Sequence, residues 1–197
     1  MRILIAIVLL PLIVFAKSNL HVSLRNAQEF HSKEELLNPL SGELVLGNKN
    51  ANVKVVVFDS YSCVHCARFY TEIFPLLLEY IDSGKISFVH KEFPLDKRAL
   101  FATKVVQCSK NKIETILQIY KNQSIILADK KYIESLLSLT KIDKKCVNNV
   151  NEKSIASRVF EYGKVLSIRG TPSVFVNSKE VKKLSKKQLI KEINILL

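Results

Sequence analysis

The spacing of apolar residues divides the chain into two strand-containing ends and a helical middle. Residues 53–59 are apolar at almost every position, which is typical of a strand covered on both faces. An amphipathic helix is predicted from residue 63 to about residue 83, and an alternating strand follows over residues 86–90. This order favours a parallel pair of strands with a right-handed crossover. Because Pro75 lies within the predicted helix, we expect a kink there.

The pattern changes after the second strand. From residue 96 to about residue 168 the chain has no proline, and helical periodicity predicts about four helices in one inserted block. Strand character returns at residues 173–176, and residues 179–181 can pair with them as a hairpin. Ser185 is a favourable helix cap, so a final helix is predicted over residues 186–196.

The segment before the first long strand carries two weaker signals. Ser32 and Glu35 have the spacing of a capping box, which predicts a short helix that Pro39 ends. Residues 44–46 are a candidate for a brief strand.

The first residues have the pattern of a secretory signal peptide. Arg2 gives a basic start, residues 3–15 form an apolar run, and Ala16 is a small residue at the expected cleavage site. The run is shorter than the about 20 residues that a membrane-spanning helix needs. An uncleaved N-terminal membrane anchor is the alternative. The predicted organisation is a signal peptide over 1–16, an N-terminal extension over 17–40, and one domain over 41–197 with the helical block at about 96–168.

Composition and charge indicate a folded domain without a nucleic-acid interface. Hydrophobic residues make up 48% of the 197 positions, which is enough for a sizeable core. Without the signal peptide the chain has 29 basic and 18 acidic residues, a net charge of +11. The lysines are scattered, and no short run combines basic residues with aromatic ones. We therefore predict a solvated basic surface and no nucleic-acid partner.

Cys63 and Cys66 form a Cys-x-x-Cys pair where the first long strand meets its helix. In this position the first sulfur lies at the helix start, and the second lies one turn deeper, within bonding reach. Helix N–H groups, with His65 in the same turn, favour the Cys63 thiolate. We predict Cys63 as the attacking nucleophile, Cys66 as the resolving partner and His65 as a supporting residue. A stabilised thiolate stabilises the reduced form and makes the disulfide form an oxidant.

Cys108 and Cys146 both lie in the predicted helical block. Export places the chain in an oxidising compartment, and the sequence-local pairing joins Cys63 to Cys66 and Cys108 to Cys146. We predict that the second pair is a structural disulfide, and a second redox pair that tunes Cys63 is the alternative. A zinc site is disfavoured because Cys108 and Cys146 occur singly, without a second Cys-x-x-Cys. No metal and no cofactor are predicted.

Thr171 and Pro172 are the second candidate motif, because they follow Gly170 and precede a strand. Proline is tolerated at the first position of a strand. A cis bond there would turn the Thr171 backbone toward a ligand. His90, which ends the predicted second strand, is interpreted as a surface or capping residue rather than a ligand.

These motifs, in this order, resemble the DsbA-like group of thioredoxin-fold oxidoreductases. The matching segments are residues 44–48, 61–66 and 169–177, and the resemblance covers about residues 43–197. It implies an α/β thioredoxin fold with an inserted helical block between the βαβ and ββα halves. It also implies a cis Pro172, and a Thr171 backbone that faces the redox disulfide and pairs with a substrate strand.

The resemblance implies a function as well. Proteins of this group introduce disulfides into reduced, unfolded proteins in the periplasm, and a membrane quinone-linked partner restores their own disulfide. Similar alphaproteobacterial proteins carry an extra disulfide in the helical block, which fits Cys108 and Cys146. A monomer is favoured, because residues 17–40 are too short for a dimerisation domain. The alternatives are a disulfide isomerase or reductase of the same fold, and a chaperone-like binding module without catalysis.

The chain departs from the group at two places. Between the cysteines it has Val64 and His65, where the best-known members have proline and histidine. Many relatives also place a buried glutamate, acting as a proton relay, where this chain has Val57. Asp59 shares the face of Val57 only if the strand stays regular, and the sequence leaves open whether it substitutes.

Overall fold

The computed structural model describes residues 31–197. The predicted signal peptide over 1–16 and most of the predicted extension over 17–40 lie outside these residues. Within residues 31–197, no helix combines the length and the apolar character needed to cross a bilayer.

A five-stranded mixed sheet forms the centre of the fold, in the spatial order β1-β3-β2-β4-β5. The strands are β1 (Leu44–Gly47), β2 (Val53–Asp59), β3 (Ile86–Glu92), β4 (Ser173–Val176) and β5 (Lys179–Glu180). β2 and β3 are parallel, and the other neighbouring pairs are antiparallel. Val57 pairs with His90, and Asp59 pairs with Glu92 at the carboxyl ends of the two central strands.

Ten α-helices surround the sheet in the part of the chain that the structure describes. They are α1 (Lys33–Leu37), α2 (Val64–Arg68), α3 (Phe74–Asp82), α4 (Lys97–Gln107), α5 (Lys112–Lys121), α6 (Gln123–Ala128), α7 (Tyr132–Thr140), α8 (Lys144–Asn149), α9 (Glu152–Val165) and α10 (Lys186–Asn194). Ser32 caps α1 in a capping box with Glu35, and Ser185 caps α10, as the sequence predicts.

The helical block holds six helices, α4 to α9, rather than the four that periodicity predicts. The two additional helices, α6 and α8, have six residues each, which is too short to produce a clear helical repeat. One to three residues separate them from their neighbours. Asn122, for example, ends α5 and begins α6.

The predicted helix over residues 63–83 is divided into three parts. α2 is followed by a π-helical turn, Phe69–Ile73, and then by α3. Pro75 lies in the first turn of α3, directly after the π-helical turn, and has no N–H to continue the helical hydrogen bonds. The wider turn ends two residues before the proline, so the departure from a regular α-helix precedes the predicted kink position.

Apolar side chains pack on both faces of the sheet. Val55 and Val57 face one core, against α2, α3, α10 and the helical block. Val56 and Phe58 face a second core, against α1 and α9. This explains the nearly continuous apolar run of β2. The βαβ half, the helical block and the ββα half follow one another along the chain as the sequence predicts.

Candidate redox site

Cys63 lies at the N-terminus of α2, directly after the loop that leaves β2. Its carbonyl accepts hydrogen bonds from the backbone N–H groups of Cys66 and Ala67, at 3.0 and 3.2 Å. Cys63 therefore begins the helix, and its half-buried sulfur lies among backbone N–H groups of the first turn.

The Cys63 thiol has a strongly lowered pKa of about 5. The largest cause is a hydrogen bond from the Cys66 side chain, and partial burial opposes it. Thr171 and the backbone N–H groups of Cys66 and His65 lower the pKa further. Hydrogen bonds to a thiolate favour the charged form, so Cys63 is ionised at neutral pH.

Cys66 has the opposite environment. It is completely buried, and burial raises the pKa of its thiol. The hydrogen bond to Cys63 and the charge of Asp59 raise the pKa of Cys66 further. The pair therefore consists of one accessible thiolate and one buried thiol, which is the division expected of an attacking and a resolving sulfur.

Thr171 faces Cys63 from the strand side of the site. The peptide bond between Thr171 and Pro172 is cis, and β4 begins at the next residue. The Cys63 Sγ atom lies 3.1 Å from the Thr171 carbonyl oxygen, across a sequence separation of 108 residues. The fold therefore brings the two predicted motifs into direct contact.

Asp59 and His90 form a buried pair beneath the cysteines. His90 Nε2 lies 2.9 Å from Asp59 Oδ2 and 3.0 Å from Oδ1. Burial is the largest single influence and lowers the pKa of His90. The charge and hydrogen bond of Asp59, together with the charges of Glu92 and Glu43, outweigh burial, so the pKa is raised. The interpretation of His90 as a surface or capping residue is wrong, because β3 continues to Glu92 and its register places His90 beside Val57.

The structure shows which face of the sheet carries Asp59, a point that the sequence leaves open. β2 is regular through Asp59, so this side chain lies on the face of Val57, toward Cys66. The charge of Asp59 also contributes to the raised pKa of Tyr61, Tyr70 and Tyr120, after burial as the main cause. A carboxylate thus occupies the interior near Cys66, two residues after the valine.

A polar cavity of about 240 Å³ lies beside His90. Glu43, Glu92, Lys112 and Arg158 are among the residues that line it. Burial raises the pKa of Glu92 to about 7, and His90 partly opposes this rise. His90 therefore borders a cavity that is also lined by charged groups.

Gln123 is a site residue that the sequence does not reveal. This buried residue begins α6, and its Nε2 donates to the carbonyls of Tyr61 and Cys63 at 2.9 and 3.0 Å. Its partners are 62 and 60 residues earlier in the chain, so no local pattern points to the contact. The helical block is in this way hydrogen-bonded to the loop that carries Cys63.

Comparison with protein families gives a clear assignment. The sequence model of a thioredoxin family matches residues 40–194. The chain belongs to this thioredoxin family.

A Rickettsia typhi protein, provisionally named a protein-disulfide oxidoreductase, is 34% identical over 159 residues, which are 74% of this chain and 58% of the relative. Disulfide bond formation protein D of Bacillus subtilis is 27% identical over 168 residues, covering 78% of this chain and 76% of the relative. The chain thus spans little more than half the length of the rickettsial relative.

Solved structures with the same fold include alpha-DsbA1 of Wolbachia pipientis. The two structures superpose with a TM-score of 0.71 and are 23% identical in sequence. The match covers 84% of this thioredoxin-family chain and 96% of the Wolbachia chain. Oxidised BdbD of Bacillus subtilis has a TM-score of 0.64 at 22% identity, covering 80% of this chain and 94% of that one. The predicted DsbA-like thioredoxin fold with an inserted helical block is confirmed.

The predicted residues occupy two places in this thioredoxin-family fold. Cys63, Cys66, Thr171 and Pro172 meet at the N-terminus of α2, where His65 is exposed. Cys108, at the end of α4, is joined by a disulfide to a cysteine of α8, Cys146, 38 residues later. Within residues 31–197, no cluster of three or more His, Cys, Asp or Glu side chains could hold a metal ion.

Proposed function

We propose that this chain is an exported thiol:disulfide oxidoreductase that introduces disulfides into secreted or periplasmic proteins. The observation that carries the proposal is the contrast between the low pKa of Cys63, about 5, and the raised pKa of buried Cys66. Relatives named for protein-disulfide oxidoreduction and disulfide bond formation support the same chemistry.

The oxidising reaction begins with a Cys63–Cys66 disulfide. A substrate thiolate attacks Cys63 Sγ, a mixed disulfide forms, and Cys66 leaves with the electron pair of the broken bond and takes up a proton. A second substrate thiolate then attacks the substrate sulfur of the mixed disulfide and releases Cys63 as a thiolate. Two electrons pass from the substrate to the protein, and the substrate gains one disulfide.

The environment of Cys63 sets the direction of this exchange. A free cysteine has a pKa of about 8.5, and each unit of depression favours the thiolate by about 1.4 kcal/mol. The hydrogen bonds that lower the pKa of Cys63 stabilise only the reduced protein. The disulfide form is correspondingly less stable and is readily passed to a substrate, which favours an oxidase over a reductase.

The cellular setting is part of the same proposal. The substrates are reduced, unfolded proteins, and the protein acts as a monomer in the periplasm. A quinone-linked membrane partner accepts the two electrons from reduced Cys63 and Cys66 and restores the disulfide. The N-terminal signal pattern and the relatives named for disulfide bond formation support this setting.

A refolding assay tests the proposal. The protein, oxidised at Cys63 and Cys66, is mixed with a reduced substrate that needs disulfides for activity, and recovery is compared with Cys63→Ala. We expect rapid recovery with the former and the uncatalysed rate with the latter. Equal recovery with the oxidised protein and with Cys63→Ala would contradict catalysis and favour a binding module of the same fold. Equilibration with glutathione separates an oxidase from a reductase, because an oxidase is reduced by a small excess of the thiol.

A further inference from the structure

A groove runs beside Cys63, between α2 and the start of α10. Its floor is apolar and includes Phe69, Ile73 and Leu184, and Thr171 and Pro172 form one wall. The groove encloses about 690 Å³. We call it the redox groove. An extended chain segment that pairs with the backbone of Thr171 would lie along it.

Basic side chains dominate the rim of the redox groove. Arg68, Lys186 and Lys187 line it, and all three are exposed. Glu72 is the one carboxylate among the described residues of its lining. It lies 3.8 Å from both Arg68 Nε and Lys186 Nζ, so two cations already share it. The rim therefore has an excess of positive charge.

Further basic residues adjoin the groove lining along the chain, although Lys182 and Lys183 themselves line another depression. Arg169 is exposed and precedes Thr171 by two residues, while Lys182 and Lys183 are exposed just before Leu184. Charges of one sign around a concave apolar surface concentrate the electrostatic field there. The field is strongest for a partner that enters the groove.

We propose that the redox groove selects thiol segments that carry acidic side chains next to the reacting cysteine. The inference rests on the proposed oxidoreductase function and names its substrate class. In an extended segment successive residues are about 3.3 Å apart, so acidic side chains within three positions stay within about 10 Å of the cysteine. They reach the rim cations while the cysteine reaches Cys63.

An anionic membrane surface is the competing occupant, because lysines continue along α10 beside Ile190 and Ile195. The geometry favours a peptide. The apolar floor and the Thr171 carbonyl lie inside a concave groove, which a single extended segment can enter and a flat bilayer surface cannot.

Three dithiol peptides that differ only in the residues flanking their cysteines test the proposal. The flanking residues are glutamate, glutamine or lysine, and the oxidised protein is the oxidant. Because flanking carboxylates also raise thiol pKa values, each rate is divided by the rate of the same peptide with hydroxyethyl disulfide. We expect the normalised rate to be about 10-fold higher for the glutamate peptide than for the lysine peptide at low salt, and the ratio to fall in high salt.

A charge-reversed pair of variants identifies the surface. Lys186→Glu with Lys187→Glu changes the rim, and Lys144→Glu with Lys145→Glu makes the same charge change on exposed lysines of α8. We expect the first variant to lose the preference for the glutamate peptide and the second to keep it. Equal normalised rates for all three peptides, or equal loss in both variants, would overturn the proposal.

Two further measurements separate this proposal from its alternatives. Fluorescent peptides with serine in place of cysteine bind without disulfide transfer, so their affinities report selection by the groove alone. A failure of the proposed oxidoreductase function can therefore be told apart from a failure of the groove proposal. Sedimentation with phosphatidylglycerol vesicles tests the membrane. If reversal at Lys186 and Lys187 abolished vesicle binding but left the peptide preference intact, the groove proposal would be wrong.

Discussion

His90 Nε2 lies 2.9 Å from Asp59 Oδ2, and both side chains are buried beneath Cys66. The parallel register of β2 and β3 creates this pair, because it places His90 beside Val57, two residues before Asp59. Asp59 thereby brings a negative charge near Cys66 from a position two residues after Val57. Asp59 is the main cause that raises the pKa of His90, against the burial that lowers it.

Asp59→Asn is expected to lower the pKa of Cys66. The charge of Asp59 is one of the causes that raise this pKa, after burial and the hydrogen bond to Cys63. Removing a nearby negative charge makes the thiolate less unfavourable and so lowers the pKa of a buried thiol. In a Cys63→Ala background, the pH dependence of Cys66 alkylation should move to lower pH. A fully unchanged profile, in a variant that unfolds at the same urea concentration, would show that Asp59 does not act on Cys66.

Glu92→Gln is expected to stabilise the protein increasingly as the pH rises from about 4 to about 7, and by a constant amount above that. Burial raises the pKa of Glu92 to about 7, compared with about 4.3 in an unfolded chain. Its contribution to stability is therefore fully present below about pH 4, falls progressively as the pH rises above that value, and is lost once the pH has passed about 7. Glutamine does not ionise, and its oxygen can still accept the bond from Gln107 Nε2, which is 2.9 Å long.

The expected gain at about pH 8 is on the order of 2 kcal/mol in the free energy of unfolding, with no gain at about pH 4. Urea unfolding at the two pH values measures it. Glu134→Gln is the control, because Glu134 is exposed on α7 and should change stability at neither pH. A gain of equal size at both pH values would mean that ionisation of Glu92 is not the cause.

Much of the fold and the centre of the site follow from local sequence patterns. The apolar run of β2, the Cys63–Cys66 spacing and the Thr171–Pro172 pair each lie within a few residues, so a short window reveals them. The long strands, and the order of the two halves around the helical block, are predictable for the same reason.

The supporting residues are different, because their partners are distant in the sequence. His90 contacts a carboxylate 31 residues earlier, and Gln123 contacts carbonyls at least 60 residues earlier. Nothing local distinguishes such a histidine from a solvated one, or such a glutamine from a surface residue of a short helix. Only the strand register and the docking of α6 reveal their roles.

Gln123→Met is expected to destabilise the protein and to loosen the Cys63 loop. Methionine has a similar length but no donor, so the carbonyls of Tyr61 and Cys63 would lose a buried hydrogen-bond partner. Such a loss costs about 1–3 kcal/mol. Urea unfolding measures the cost, and amide hydrogen exchange across residues 61–66 should become faster. Gln118→Met, in the neighbouring α5, is the control. Equal effects of Gln123→Met and Gln118→Met would show that the hydrogen bonds of Gln123 do not specifically stabilise the Cys63 loop.

Cys66→Ala and Cys66→Ser are expected to separate the two functions of the resolving cysteine. The hydrogen bond from Cys66 is the largest cause of the low pKa of Cys63, about 5. Alanine removes this donor, and serine keeps one. Alkylation of Cys63 in the wild-type protein should therefore have its midpoint near pH 5, while Cys66→Ala moves the midpoint toward the about 8.5 of a free cysteine and Cys66→Ser moves it less.

Neither variant can form the redox disulfide, so both should fail in oxidative refolding even though their Cys63 midpoints differ. The measurement thus isolates the electrostatic effect of Cys66 from its covalent role. If the alanine and serine variants titrated alike, at the wild-type midpoint, the low pKa of Cys63 would have to come from Thr171 and the backbone N–H groups of Cys66 and His65 alone.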